Sequence, residues 1–153
     1  MQLSKNLSLA EVTKSATAIK RGIANEPTIT HLENLKAIAE KIFQPIREEF
    51  MCPIAVTSGY RSRDLNDAIG GSSRSQHCYG EALDLDADVY GVITNKDIFH
   101  YIQDNLNFDQ LIWEFGTDEE PAWVHVSYRR NGGNRKAVLK AIKKEGRTMY
   151  QHI

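Results

Sequence analysis

Ser75-Gln76-His77-Cys78-Tyr79-Gly80-Glu81-Ala82-Leu83-Asp84 places a histidine and an aspartate seven positions apart, and a second histidine, His125, follows far along the 153-residue chain. These are residue types that can do metal chemistry. A catalytic zinc takes three protein ligands from His and carboxylate side chains and keeps a fourth position open. His77 ends a glycine-rich loop, while Asp84 and His125 fall in β-rich segments. Gly80 lets the chain turn between the first two, and Ala82 leaves room beside them. Each residue also has an ordinary alternative. A lone histidine is more often a satisfied surface or core group, and Asp84 can be a solvent-facing strand residue like Asp86 and Asp88. Cys78 reads as a small loop residue. With Cys52 it makes only two cysteines, too few for a disulfide framework and without the spacing of a cysteine zinc site.

The segment has the form S-x-H-x-x-G-x-A-x-D. Thr57-Ser58-Gly59-Tyr60-Arg61-Ser62 precedes it and Trp123-Val124-His125-Val126-Ser127 follows it. In these three motifs and their order the chain resembles the D-Ala-D-Ala carboxypeptidase and L-alanyl-D-glutamate endopeptidase family of zinc peptidases, whose fold is shared with hedgehog signalling domains. The resemblance covers about residues 30–130. It implies one zinc ion held by His77, Asp84 and His125, and hydrolysis of peptide bonds in peptidoglycan stem peptides. It implies that Arg61 reaches the substrate or stabilises developing oxyanion charge, and that Ser75 orients the site through a hydrogen bond. The competing readings are a surface ion pair of Arg61 with Asp64 and simple loop capping by Ser75.

Zinc polarises a scissile carbonyl and lowers the pKa of its water toward about 7. A carboxylate must still take the proton and pass it to the leaving amine. Several branches of the family place that residue three positions before the final histidine, where this chain has Ala122. Alternation along the strands offers Glu114 instead, on the face it shares with His125 across a hairpin; Glu119 and Glu120 fall in the turn. Glu114 could equally be a sheet-face carboxylate that hydrogen-bonds a ligand histidine. The departure at Ala122 leaves a second function open, a non-catalytic zinc-containing module that binds peptidoglycan. Trp123 and Tyr60 could line a peptide groove, although aromatics at strand positions usually pack in the core.

The elements that must position these residues follow from periodicity. Ser8 with Glu11 and Thr30 with Glu33 form capping boxes, so helices are expected from Leu9 to about Ala18 and from about Thr30, with Leu32, Leu35, Ile38, Ile42 and Ile46 on the buried face of the second. Ile54–Tyr60 reads as a strand, and Asp64 as the cap of a short helix. Ala82–Asp86 reads as a strand with Leu83 and Leu85 on one face and Asp84 and Asp86 on the other. Asn95 is expected to cap a helix through Leu106. Gln110–Phe115 and Trp123–Tyr128 form a hairpin, with Leu111, Trp113 and Phe115 facing the core on one strand and Val124, Val126 and Tyr128 on the other. The fold class expected is α+β, a small antiparallel sheet packed against helices in one domain spanning 1–153, with a basic C-terminal helix at about 134–147.

Composition bounds the rest. Hydrophobic residues make up 41% and charged residues 25%, the balance of a soluble globular domain. No stretch reaches the roughly 20 apolar residues of a membrane span, and the N-terminus lacks the basic and apolar regions of a secretory leader. Synthesis in the cytoplasm and action at the cell wall after release, as in phage lysis, is the expectation. Arg135, Lys136, Lys140, Lys143, Lys144 and Arg147 make the last twenty residues basic, which suits an anionic envelope surface or simply a solvated face. Net charge is −1 and no recognition motif is present, so nucleic acid is not an expected partner. Peptidoglycan stem peptides are the expected partner, no membrane insertion is expected, and the protein is expected to be a monomer.

Overall fold

The computed structural model describes residues 1–153. A two-stranded antiparallel ribbon, β1 (Gln2–Ser4) and β2 (Leu7–Ser8), opens the chain. Ser8 and Glu11 then cap α1 (Leu9–Thr13) reciprocally, as the sequence predicts. The helix stops short of Ala18 because Ser15 caps a second one, α2 (Ala16–Arg21). The main helix, α3 (Ile29–Ile38), starts from a box made by Thr28 and His31 rather than by Thr30 and Glu33. It continues through a π turn, Ala39–Phe43, into α4 (Gln44–Phe50). Pro45 has no N–H to give and its ring crowds the carbonyl four residues back, so the wider turn relieves the helix there.

Then come β3 (Ala55–Ser58), α5 (Arg63–Ala68), a 3-10 turn at Gln76–Tyr79, β4 (Ala82–Asp86), α6 (Asn95–Asn105), β5 (Gln110–Glu114) and β6 (Trp123–Ser127). Ser62, not Asp64, caps α5, and Thr94 with Asp97, not Asn95, caps α6. Asn95 is buried and ties elements together instead: its side chain accepts from Ala87 N–H and donates to Asp86 and to the carbonyls of Pro121 and Ala122.

The basic C-terminus corrects the helix expected at about 134–147. It forms β7 (Ala137–Lys144) and β8 (Arg147–His152), joined by Glu145 and Gly146, both at positive φ (52° and 76°), as a tight hairpin turn requires. Ala, Leu and Lys are good helix formers, but intrinsic propensity is a weak preference that tertiary context overrides. Pairing of β7 with the exposed edge of β5 overrides that preference. The main sheet is therefore larger than expected and mixed: its order is β3-β4-β6-β5-β7-β8, with β5 and β7 parallel and every other pair antiparallel.

One face of this sheet is the core. Val56, Leu83, Leu85, Leu111, Trp113, Val124 and Val126 meet Leu35, Ile38, Ile42 and Ile46 from the helical layer and Ile98, Phe99 and Ile102 from α6. Most are wholly buried, each stabilising the fold by roughly 2 kcal/mol. The other face carries Asp84, His125, Ile112, Glu114, Leu139 and Ala141, in registers Asp84↔His125↔Ile112↔Leu139 and Glu114↔Ala141. Phe115 departs from the alternation. Its φ of 53° turns the side chain out of the core set, and it packs against Ile112, Leu139 and Ala141 on the second face.

Candidate functional site

The second face of the sheet opens into a cleft of about 850 Å³ whose lining includes Arg61, Ser75, His77, Asp84, Glu114, Trp123 and His125. Strand pairing explains how residues 41 apart meet. Asp84 and His125 are direct cross-strand partners, and Asp84 Oδ1 lies 3.0 Å from His125 Nδ1. His77 arrives from the 3-10 turn, its Nε2 3.2 Å from the same oxygen. One donor atom from each of the three lies within 4.8 Å of the other two.

The loop that delivers His77 is fixed at several points. Ser75 Oγ accepts from His77 N–H (3.3 Å) and caps the turn, the contact of the competing loop-capping reading, and it also stands on the cleft wall. Gly80 ends the turn at φ 72°, and a Cβ there would come within 2.7 Å of the His31 carbonyl. His77 Nδ1 lies 2.7 Å from the Gly59 carbonyl. A carbonyl only accepts, so this nitrogen carries the proton and Nε2 presents a lone pair toward Asp84 in the neutral ring. Gly59 itself is pressed against Val12, with room for no Cβ (2.5 Å to Val12 O).

Two acceptors therefore face each other at 3.2 Å, and only a proton or a cation between them makes that arrangement favourable. Two imidazole nitrogens and a carboxylate, with the outer nitrogen of one ring anchored on a carbonyl, are the donor set and outer support that suit zinc. The chemistry of these residues fits the ion. Without a cation, burial pushes the Asp84 carboxyl up, but the charge of His77 and hydrogen bonds from both histidines prevail and hold it well below the usual carboxylate range.

Arg61 faces this cluster rather than Asp64. Its backbone N–H donates to the His77 carbonyl (3.1 Å), its Nε to Ser58 Oγ (3.0 Å) and its Nη1 to Asn66 Oδ1 (3.3 Å), leaving Nη2 3.6 Å from Asp84 Oδ2. Asn66, wholly buried, is a positioning residue that sequence reasoning missed. A Cβ on Gly71 would lie 2.1 Å from Asn66 Oδ1, so the Gly70-Gly71 pair signals a close approach as well as a loop.

Glu114 lies on the cleft face diagonal to His125, as alternation predicts, roughly 7 Å away at Cα. Burial raises its carboxyl to about 7. The charge of Asp84 adds to the rise, while His125 and Arg61 oppose it. Ala122 is adjacent, its N–H donating to the Glu114 carbonyl (2.9 Å), so the carboxylate enters from the neighbouring strand. Glu120 accepts from Lys96 N–H at the surface. Trp123 lines the cleft and packs on Phe115, whereas Tyr60 is buried against His31 and lies outside it. Cys78 is buried and free.

Two further groups were not anticipated. Asp109, wholly buried, accepts from Gln76 Nε2 (3.1 Å) and from Arg135 through its backbone and guanidinium, tying the residue before His77 to the start of β7. Leu139, Lys143, Thr148 and Tyr150 of the C-terminal hairpin line the same cleft as Arg61.

No helix is long and apolar enough to cross a membrane. No curated protein matches the chain. The family model described as Peptidase M15 matches residues 5–127, which take in all three motifs, the paired His77, Asp84 and His125, and Glu114. The chain belongs to the Peptidase M15 family.

Proposed function

We propose that the protein is a zinc-dependent peptidase that hydrolyses peptide bonds in peptidoglycan stem peptides, of D-Ala-D-Ala carboxypeptidase or L-Ala-D-Glu endopeptidase type. The observation that carries this reading is the pairing of an open His–Asp–His cluster with a buried Glu114 on the same sheet face. His77, Asp84 and His125 would hold the ion through Nε2, a carboxylate oxygen and Nδ1. Bound zinc supplies Lewis acidity toward the scissile carbonyl and toward water.

The remaining work falls to the chain. Glu114 accepts the proton of the attacking water and returns it to the amine nitrogen as the C–N bond breaks, giving a carboxylate and a free amine. A carboxyl raised to about 7 suits both steps, because it can give the proton back. Arg61, held by Ser58 and Asn66, presents a fixed guanidinium to the negative charge that develops on the carbonyl oxygen. Ser75 holds the His77 backbone and stands on the wall where substrate lies.

A role in wall degradation, of the kind a phage endolysin performs once the inner membrane is breached, fits a one-domain peptidase with a basic C-terminal segment. The non-catalytic, peptidoglycan-binding alternative was motivated by Ala122, and Glu114 beside it weakens that motive. Digestion of purified peptidoglycan by wild-type and His77→Ala protein, followed by mass analysis of the fragments, tests the reading. Release of D-Ala, or of fragments cut between L-Ala and D-Glu, by wild type alone supports it and separates the two types. An intact wall after prolonged incubation with the zinc-loaded wild type contradicts it.

A further inference from the structure

The hairpin β7–β8 lies beyond the last residue matched by the family model, yet it builds a wall of the cleft. Lys140, on the same strand, is paired with Asp118. Lys143 has no acidic partner. Its ammonium donates to Thr148 Oγ1 (3.0 Å), its direct cross-strand partner, and lies 5.6 Å from the centre of the Phe115 ring. Those contacts hold the charge in place without neutralising it. Between this cation and Glu114 the floor is apolar: Ile112, Leu139 and Ala141 form a small buried cluster on the cleft face.

Tyr150 completes the wall. Glu114, Ala141 and Tyr150 stand in one cross-strand row, with an alanine as the residue between the tyrosine and the glutamate. Tyr150 is 56% exposed at the rim of the cleft; partial burial of its ring, with the charges of Glu114 and Asp84, pushes the phenol up, and it remains a hydrogen-bond donor at neutral pH. Lys143 is one step of two residues from Ala141, roughly 7 Å along the strand. A group entering this arm of the cleft therefore meets an aliphatic floor, then two hydroxyls and an unneutralised ammonium. That sequence of surfaces fits a short aliphatic chain ending in an anion, and it disfavours a free amine.

We propose that Lys143, Thr148 and Tyr150 form a subsite for a substrate carboxylate carried near the scissile bond. The inference rests on the peptidase reading for its substrate class, and the carboxylate can come from an acidic side chain or from the peptide's C-terminus. Three synthetic stem peptides separate these sources: one with a free glutamyl carboxylate and an amidated C-terminus, one with the reverse, and one amidated at both. Binding is measured by calorimetry on the zinc-loaded full-length protein in a Glu114→Gln background, where the peptides stay intact, and KM and kcat are measured on the parent.

The expected result is that Lys143→Ala weakens binding of one free-carboxylate peptide about tenfold, the scale of one lost charge-assisted hydrogen bond. KM should rise with little change in kcat, and the doubly amidated peptide should bind weakly and indifferently to the variant. Tyr150→Phe should act in the same direction more mildly, and Lys143→Arg should retain most of the affinity. In the Glu114→Gln background, equal binding of all three peptides with Lys143 present or replaced by alanine overturns the subsite, as does an equal loss for all three. Failure of the peptidase reading looks different: the parent turns over no peptide, whatever the calorimetry shows.

Discussion

Glu114 acts as the proposed base only when ionised, and burial raises its carboxyl to about 7. A divalent cation beside His125 adds attraction and lowers it from there. The active form is the deprotonated one, so the rate should fall as pH drops through this value. The acidic limb of kcat/KM against pH is expected at or below about 7, and a limb centred well above 8 would exclude Glu114 as the base. Glu114→Gln should lower kcat by about 10²- to 10⁴-fold while the protein still binds one zinc. Loss of the metal along with activity would instead make Glu114 a support for a ligand. The residues of this cluster were legible in the sequence because ligand types recur in motifs and alternation fixes faces. Asn66, Lys143 and Tyr150 were not, since nothing local marks an asparagine that steadies an arginine or a lysine that lacks a partner.

The elements that aim these side chains were readable where periodicity is strong and local. The buried stripe of α3 and α4, the parity of β4 and the β5–β6 hairpin all follow from it. Caps slipped by one or two residues, as at Thr28 and Thr94, because several Ser, Thr and Asn side chains compete for one helix end. The C-terminal strands were hidden by lysines that suit a helix equally well; the Glu145-Gly146 turn was the available signal. Asp109 joins these late elements to the His77 loop, and its test belongs here. Burial pushes its carboxyl up, but Arg135 and Arg129 outweigh that and hold it below the ordinary value of 3.8. A depressed carboxyl contributes stability above the unfolded value and loses it as pH falls through the folded one. Asp109→Asn is expected to cost about 1–3 kcal/mol at neutral pH, with the gap to wild type narrowing below about pH 4 in urea titrations; a gap that widens in acid would refute the pairing. Gly71→Ala should be destabilising too and should lower kcat through Asn66 and Arg61, because its Cβ has no space.

At the scale of the molecule, the main core lies on one sheet face and the opposite face, with its small cluster of Ile112, Leu139 and Ala141, carries the cleft, where a bound metal would couple to folding. Zinc at a hundredfold excess over its Kd adds about 2.7 kcal/mol to stability, which for a chain of this size is a shift of several degrees in Tm. Chelation should lower Tm by that order in wild type and leave His77→Ala unmoved; an equal response in both would place the metal elsewhere. The edge strand β8 completes the cleft wall, so truncation before Ala137 should impair substrate binding as well as stability. A zinc peptidase binds its metal and turns over substrate at one site. Titrating the metal-free protein with zinc while following amine release from a stem peptide measures both together. The predicted trace rises in proportion to added zinc and levels off at one equivalent per chain, and a protein that binds its equivalent of zinc and releases no amine from any stem peptide is not a peptidase of this class.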